Sequence, residues 1–453
     1  MKPIFTLVAA ALLLNTFTSI AQTWQSVGTE GFSSQGTNSV AIALDINGTP
    51  YVAFADSAYS EKVTVMKFDG ADWVTIGNAG FSAGAAYDIS IAINSSNSPY
   101  VLYGDNGNGS FASAMKFDGA NWVNVGTAGF SVGVVNACTI RIDSNDVPCA
   151  AFDDAGYSGK ATVMKFDGAS WVNVGAPGFS SGGAGQMSMA LSSDNVPYVG
   201  YQDQGNGFMA TVMKFDGANW VAVGAPAFTD ICQFTSIAFD SSGTIPYLAY
   251  GQGFNPFASN VEKFNGTDWE FVGVPNFSAG GATFESLAID AANIPYIAFL
   301  DWTNANKATV MEYNGSSWVI VGNPGFSIGE TWNPRLVIDA AGTLYVAYYD
   351  EGNSDKATVM KFATATGATD LSKEIADVII YPNPALDKLT IDNGQETADE
   401  IEIKDLAGRS VYQQPVKAKK AVVDISPLPS GIYFVSIRSK EEIIVKQFVK
   451  RFN

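Results

Sequence analysis

An all-β chain is what this sequence predicts: a closed ring of seven four-stranded blades, then a small Ig-like β-sandwich. Three observations predict it. Seven tryptophans, Trp24, Trp73, Trp122, Trp171, Trp220, Trp269 and Trp318, fall 49 residues apart. The aromatic residues Phe68, Phe117, Phe166, Phe215, Phe264, Tyr313 and Phe362 keep the same step. Each copy also holds four short runs of Val, Ile, Tyr and Phe broken by Gly, Asn, Asp and Pro, the composition of strands and tight turns. A period near 50 with four strands per copy is the signature of a seven-bladed β-propeller.

The elements follow in order. Residues 1–21 read as a secretory signal peptide: Lys2 is a basic start, Ile4 to Leu14 an apolar stretch, and Ser19-Ile-Ala21 a small-residue cleavage site. No later segment is apolar enough to span a membrane. The propeller is expected over 22–362. Its first full copy holds strands in SVAIALD (Ser39–Asp45), PYVAFAD (Pro50–Asp56), VTVMKFD (Val63–Asp69) and WVTIG (Trp73–Gly77). Both faces of most runs are apolar, which suits sheets sandwiched between neighbouring sheets. The run SIAFDSSGTIPYLAYG, Ser236 to Gly251, resembles the inner two strands of NHL-type propeller repeats, and that resemblance makes the Trp run the outermost strand. The chain therefore starts with an outer strand at Trp24 and stops at a third strand at Phe362. The ring closes if Trp24–Gly28 pairs with Ala357–Phe362 and Trp24 faces Phe362, a clasp that removes an open sheet edge.

Composition excludes several chemistries. Histidine is absent, so His-based triads, general bases and metal sites are ruled out. Net charge is −19, nearly all of it before Asp370, which argues against a nucleic-acid partner or an anionic membrane surface. The three cysteines, Cys138, Cys149 and Cys232, are expected as buried free thiols, since a hairpin placing Ile142 opposite Cys149 leaves Cys138 out of reach.

Residues 363–377 are small and polar, a linker. Beyond them DKLTID, EIEIKD and IYFVSIR alternate as short antiparallel strands, entered through Tyr381-Pro382-Asn383-Pro384. These features, with Leu389-Thr-Ile391, Asp405-Leu-Ala-Gly408, Asp424-Ile-Ser-Pro-Leu-Pro-Ser-Gly431-Ile-Tyr433-Phe434 and the basic end Lys446 to Lys450, resemble the type A C-terminal sorting domain of the type IX secretion system of Bacteroidota. The resemblance covers residues 378–453. It implies export across the outer membrane through that machinery, and release or surface attachment.

Three sets of propeller residues are candidates for function. The Asp ending the second strand (Asp56, Asp105, Asp154, Asp203, Asp301, Asp350; Gln252 in the fifth copy) offers too few carboxylates per loop for calcium and reads as a turn former. The next loop carries the aromatics Tyr59, Tyr157, Phe208, Phe254, Phe257 and Trp302, able to stack on sugar rings or to fill gaps between blades. Entering the innermost strands are Asn38, Tyr87, Asp88, Asn136, Gln186, Phe234, Glu285, Trp332, Asn333 and Arg335, mixed polar and aromatic where packing alone would make seven copies alike. From these we take Tyr87, Asp88, Asn136, Gln186, Glu285, Trp302, Trp332 and Arg335 as ligand-binding candidates. No catalytic set, metal site or cofactor motif is found. The preferred reading is a monomeric binding or adhesion protein, exported by the type IX system, that recognises a glycan or surface partner on its variable-loop face. The alternative is a carbohydrate-active hydrolase or lyase using channel carboxylates such as Asp88 and Glu285.

Overall fold

The computed structural model describes residues 23–253, 257–362, 379–392, 398–405, 409–439 and 442–451. The expected signal segment 1–21, the linker 363–377, Phe254 and Gly408 lie outside them. Backbone contacts divide the chain into two compact units, Met1–Thr364 and Ala365–Asn453.

The first unit is a ring of seven four-stranded antiparallel sheets. Blade 1 runs from the inner strand Val40–Leu44 through Pro50–Asp56 and Lys62–Phe68 to the outer strand Trp73–Thr75. Blades 2 to 6 repeat it with inner strands Ala86–Ile93, Val135–Ile142, Ala184–Leu191, Cys232–Phe239 and Ala282–Ile289. Blade 7 has Thr331–Ile338, Leu344–Asp350 and Lys356–Phe362, and takes its outer strand from the other end of the chain: Gln25–Ser26 pairs with Met360 and Lys361. The clasp expected from the repeat phase is thus present. Its ladder is short, and beyond it the chain adds bonds from Val27 N to Val359 O (2.9 Å) and from Phe32 N to Ala357 O (2.9 Å). Trp24 faces Phe362 with ring centroids 5.4 Å apart, as Phe68 faces Trp73 inside blade 1.

The tryptophans join the blades as well as ending them. Each indole N–H donates to a carbonyl in the preceding blade's outer strand, from Trp73 to Val27 O (2.7 Å) round to Trp318 and Val272 O (2.7 Å). Trp24 completes the circle on Val321 O at 3.0 Å. Each also stacks on the Phe of the turn that is Gly-Phe-Ser in most copies, as Trp73 does on Phe32 (4.2 Å). A buried aromatic that stacks and satisfies its N–H explains why this residue is kept in every copy.

The Asp ending the second strand organises the loop after it. In blade 4, Asp203 Oδ1 accepts from Gly205 N (3.1 Å) and Ser181 Oγ (2.6 Å), and Oδ2 from Asn206 Nδ2 (2.8 Å) and Thr211 Oγ1 (3.1 Å). It caps the short 3-10 turn Gln204–Asn206. Asp203→Ala leaves the buried Thr211 hydroxyl and three part-buried donors without this partner and is expected to cost about 2–3 kcal/mol. Urea denaturation measures this; a loss below 0.5 kcal/mol would show that the loop folds independently of its cap.

The cysteines are buried and unpaired. The blade 3 hairpin differs from the expected register by one residue: Cys149 lies opposite Arg141, and Ile142 opposite Pro148. The turn closes through Asp143 N to Val147 O (3.0 Å) and is one residue tighter than expected, so the ladder already includes Pro148. The shift turns Arg141, not Ile142, toward the position across from Cys149.

The second unit is a two-sheet sandwich. One sheet holds Ile379–Tyr381, Lys388–Asp392 and Lys420–Asp424; the other holds Ser410–Ala418, Ala398–Asp405, Gly431–Ser439 and Glu442–Lys450, in spatial order. Leu389, Ile391, Ile401, Ile403, Val423, Val435, Ile437 and Phe448 fill the space between them. The motif residues serve this unit's own architecture. Tyr381-Pro382 and Asn383-Pro384 are cis peptides, Asn383 Oδ1 accepts from Val449 N (3.0 Å), Asp424 Oδ1 from Ser426 N (2.9 Å), and Tyr433 Oη donates to Pro429 O (2.7 Å). Gly431 opens the strand that pairs with Lys450.

Candidate binding site

Six of the seven inner strands carry a β-bulge near the channel mouth, and each puts a non-glycine residue in the left-handed region: Asp88, Ala137, Gln186, Phe234, Phe284 and Asn333, with φ between 47° and 60°. Such a conformation is unfavourable for a residue with a Cβ, yet its recurrence shows that the blade geometry demands it. The bulge turns these six side chains toward the lumen, where they line a cavity of about 430 Å³ with Asn38, Asn136, Asp153, Glu285, Arg335 and Tyr349.

Of the eight candidates, Asp88, Asn136, Gln186, Glu285 and Arg335 meet around this cavity. Two are engaged in joining blades. Asp88 Oδ2 accepts from Ala137 N at 3.0 Å, and Gln186 Oε1 accepts from Phe234 N. Asn136 is tied to Asp153, which accepts from both its backbone N (2.8 Å) and its Nδ2 (3.2 Å). Tyr87 is not among the residues lining the cavity. Its ring lies over Gly104, where a Cβ would sit 2.4 Å from it, and its hydroxyl donates to Ser110 O (3.0 Å).

Trp302 and Trp332 lie in an adjoining groove of about 620 Å³, which shares Phe234 and Phe284 with the cavity. Here the sevenfold pattern breaks. Trp302, Phe257, Phe234, Phe284 and Trp332 form a continuous chain of rings, with successive centroids 6.0, 6.4, 4.5 and 5.9 Å apart. All five come from blades 5 to 7. Trp302 stays 36% exposed, so a ring face remains available to a ligand, and Trp332 Nε1 donates to Glu351 Oε1 (3.1 Å). Blades 2 to 4 supply the polar wall opposite: Asp88, Asn136, Asp153 and Gln186.

The charged groups are perturbed by enclosure. Burial pushes the Asp153 carboxyl up, Asn136's hydrogen bonds pull it down, and the like charges of Asp88 and Asp154 add to the rise. Burial pushes Glu285 up to about 8, opposed by its own backbone N–H and by Ser259. Arg335 is pushed down by burial, and Asp88 acts in the other direction.

Reading across the repeats shows how unusual Glu285 is. Its slot between blades holds Val40, Ile89, Cys138, Met187, Thr235 and Pro334 elsewhere. Its contacts in blade 5 have changed with it. Ser259, which donates to Glu285 Oε1 (3.2 Å), stands where the other blades have Ala or Val. Gly251 leaves room for the carboxyl, since a Cβ there would lie 2.9 Å from Oε1. Oε2 is buried without a partner.

Sequence reasoning overlooked Phe284, Asp153 and Tyr349. The signal was available. Asp153 and Tyr349 occupy the position just before the loop-capping Asp, where Ala55, Gly104, Gln202, Gly251 and Leu300 stand in the other copies, the most variable place on the second strand. Among the described residues no group of three or more Cys, Asp or Glu side chains could hold a metal ion, and no helix is long and apolar enough to cross a membrane.

Comparison with known proteins identifies the tail. Residues 379–451 match the secretion system C-terminal sorting domain, so the protein is exported to the cell surface or beyond it through the type IX system, whose machinery the domain engages. An ulvan lyase of Nonlabens ulvanivorans is 32% identical over 71 residues, 16% of this chain and 13% of that protein. PorZ, a surface component of the type IX secretion system of Porphyromonas gingivalis, superposes with a TM-score of 0.50 at 16% identity over 92% of this chain and 60% of its own. A fungal alcohol oxidase of the AA5 family, solved with copper, superposes with a TM-score of 0.51 at 10% identity over 94% of this chain and all of its own. At these identities the two structures are similar in fold alone.

Proposed function

We propose that the propeller, delivered by its sorting domain, is a binding module that seats a glycan at its channel mouth on the side of blades 5 to 7. One observation carries the reading: the five-ring chain from Trp302 to Trp332, found on one side of an otherwise repetitive ring. The C–H faces of a sugar pack on aromatic faces, while Asn136, Asp153 and Asn333 supply polar groups for its hydroxyls across the cavity.

A glycan array probed with the mature full-length protein tests this. Selective binding is expected, weakened tenfold or more by Trp302→Ala or Trp332→Ala, the effect of losing a stacking contact worth about 1–3 kcal/mol. A blank array, or binding indifferent to both changes, would overturn the reading and direct attention to protein partners.

The enzymatic alternative has one observation in its favour, a Glu285 carboxyl protonated at neutral pH as a general acid must be. Glycoside hydrolysis needs a second carboxyl flanking the same bond, and neither Asp88 nor Asp153 is among the groups that shift Glu285. Binding is therefore the better-supported function. Incubating an array hit with the protein and analysing its length checks the alternative; chain shortening abolished by Glu285→Gln would reverse the ranking.

A further inference from the structure

The chain of rings has an acidic edge, and one backbone hydrogen bond repeated in every blade shows where it comes from. The residue after each second strand donates its N–H to the carbonyl of the residue entering the inner strand, at 2.9–3.3 Å. In blades 1 to 5 the two ends of this bond are Ser57 and Gly36, Asn106 and Ala85, Ala155 and Val134, Gln204 and Gly183, and Gly253 and Ile231. None of these is charged or aromatic. Blade 6 has Trp302 and Gly281, and blade 7 has Glu351 and Glu330. Two neighbouring blades thus depart from the repeat at the same place, one with an indole and the other with two carboxylates.

Gly281 belongs to the indole's setting: the Trp302 ring lies so close over it that a Cβ would sit 2.4 Å away. Glu330 lines the groove with Trp302, Trp332, Phe234 and Phe284, and its Oε1 accepts from Asn306 Nδ2 (3.0 Å). Glu351 accepts the indole N–H of Trp332, which makes the face of that ring more negative. A carboxylate can accept about four hydrogen bonds, so both keep room for a donor from a ligand. Among the described residues neither forms an ion pair with a lysine or arginine, and no basic residue lines the groove. Arg335 lines the cavity and not the groove. The rings meet at steep angles, 86° between Trp302 and Phe257 and 72° between Phe284 and Trp332. Aromatic faces set at an angle, with unpaired carboxylates beside them, attract an organic cation. A neutral sugar would leave the carboxylates unused. An acidic one would be repelled by them and by a chain of net charge −19.

We propose that the groove recognises a glycan whose seated residue carries a free, protonated amine, an amino sugar without an N-acetyl group. Its C–H face stacks on the rings, and its ammonium group is held by the Glu330 carboxylate with the Trp332 face alongside. The inference rests on the glycan reading of this site and adds the charge of the sugar. A lysine side chain offers the same ammonium group, but a peptide has no use for the amide side chains of Asn38, Asn136 and Asn333 in the adjoining cavity, which suit sugar hydroxyls.

Three oligomers of one β-1,4-linked glucose backbone, bearing an amine, an N-acetylated amine or a hydroxyl at C2, test this by titration calorimetry on the mature full-length protein. A lysine oligomer is the fourth probe. The amine-bearing oligomer is expected to bind about tenfold more tightly than the other two at low salt, a preference that shrinks at about 0.5 M NaCl. Glu330→Gln and Glu351→Gln keep an acceptor for Asn306 and Trp332 while removing the charge. Each is expected to weaken the amine-bearing oligomer about fivefold and to leave the hydroxyl oligomer unchanged. Trp302→Ala weakens all sugars that bind. Equal affinity for the three sugars overturns the proposal and leaves the glycan reading standing, as does an array hit without a free amine joined to no response to the amine-bearing oligomer. A preference that survives both Glu changes also overturns it. Equal binding of the lysine oligomer removes the sugar and assigns the groove to a basic peptide. Silence from all four probes together with a blank array removes both readings.

Discussion

Trp24→Ala unfolds at a lower temperature than Trp171→Ala, although the two indoles have nearly the same surroundings. Both are 8% exposed. Trp24 stacks on Phe326 at 4.1 Å and Trp171 on Phe130 at 4.4 Å, and each donates to a carbonyl of the preceding blade. Truncating either removes about 3–5 kcal/mol of packing. The difference lies in what holds the strand afterwards. The Trp171 strand continues covalently from Phe166 through a tight turn. The Trp24 strand has no covalent turn to its neighbour and is fastened by two residue pairs, the Val27 bond and the bonds of the following Gly31 to Ser33 turn. Once it frays, buried Val27 is exposed and Trp73 loses its acceptor, Val27 O. A further ~1–2 kcal/mol is therefore expected, read as a Tm several degrees below that of Trp171→Ala. Equal melting temperatures would mean that the clasp adds nothing beyond local packing.

Glu285→Met stabilises the protein at alkaline pH and not in acid. The wild-type carboxyl is pushed up to about 8 in the folded chain by burial, against an ordinary value near 4.5 when unfolded. A raised carboxyl means the folded state holds its proton more tightly, so its contribution is complete below the unfolded value and is lost as pH rises toward 8. The groups around it do not reverse this. Ser259 offers one hydrogen bond, Gly251 none from a side chain, and burial pushes the Cys232 thiol up to about 12, leaving it neutral. Met187 already fills the corresponding slot of blade 4, so the replacement has a precedent in the same ring. Stabilisation of up to about 4 kcal/mol is expected at pH 9 and close to none at pH 4. Urea titrations at both pH values decide it. The same gain at both would show that the cost of Glu285 is steric, not electrostatic.

The ring, its closure and the secretion tail were legible along the chain because each depends on order and spacing. A 49-residue step counts blades, and the mismatch between a first outer strand at Trp24 and a last third strand at Phe362 requires the termini to meet. The tail's motifs lie within short reach of one another. The site was only partly legible. Residue type marked Glu285, Arg335, Trp302 and Trp332 as departures from the repeat, but could not say which of them share a cavity. Tyr87 and Asp88 are adjacent in sequence, yet one covers Gly104 and the other reaches the lumen. The bulge between Tyr87 and Ser90 reverses the strand's alternation at that point, and the register alone reveals it.

By itself, the sequence determined that this is a seven-bladed, acidic, histidine-free propeller with an export tail, since strand period, composition and ordered motifs are properties of a line. Only the tertiary structure decided that Asp88 and Gln186 are occupied by neighbouring backbones, that five rings from three blades touch, and that Glu285 has an unpartnered oxygen. Those facts depend on which blades lie side by side, where residues about 49 positions apart come within contact distance.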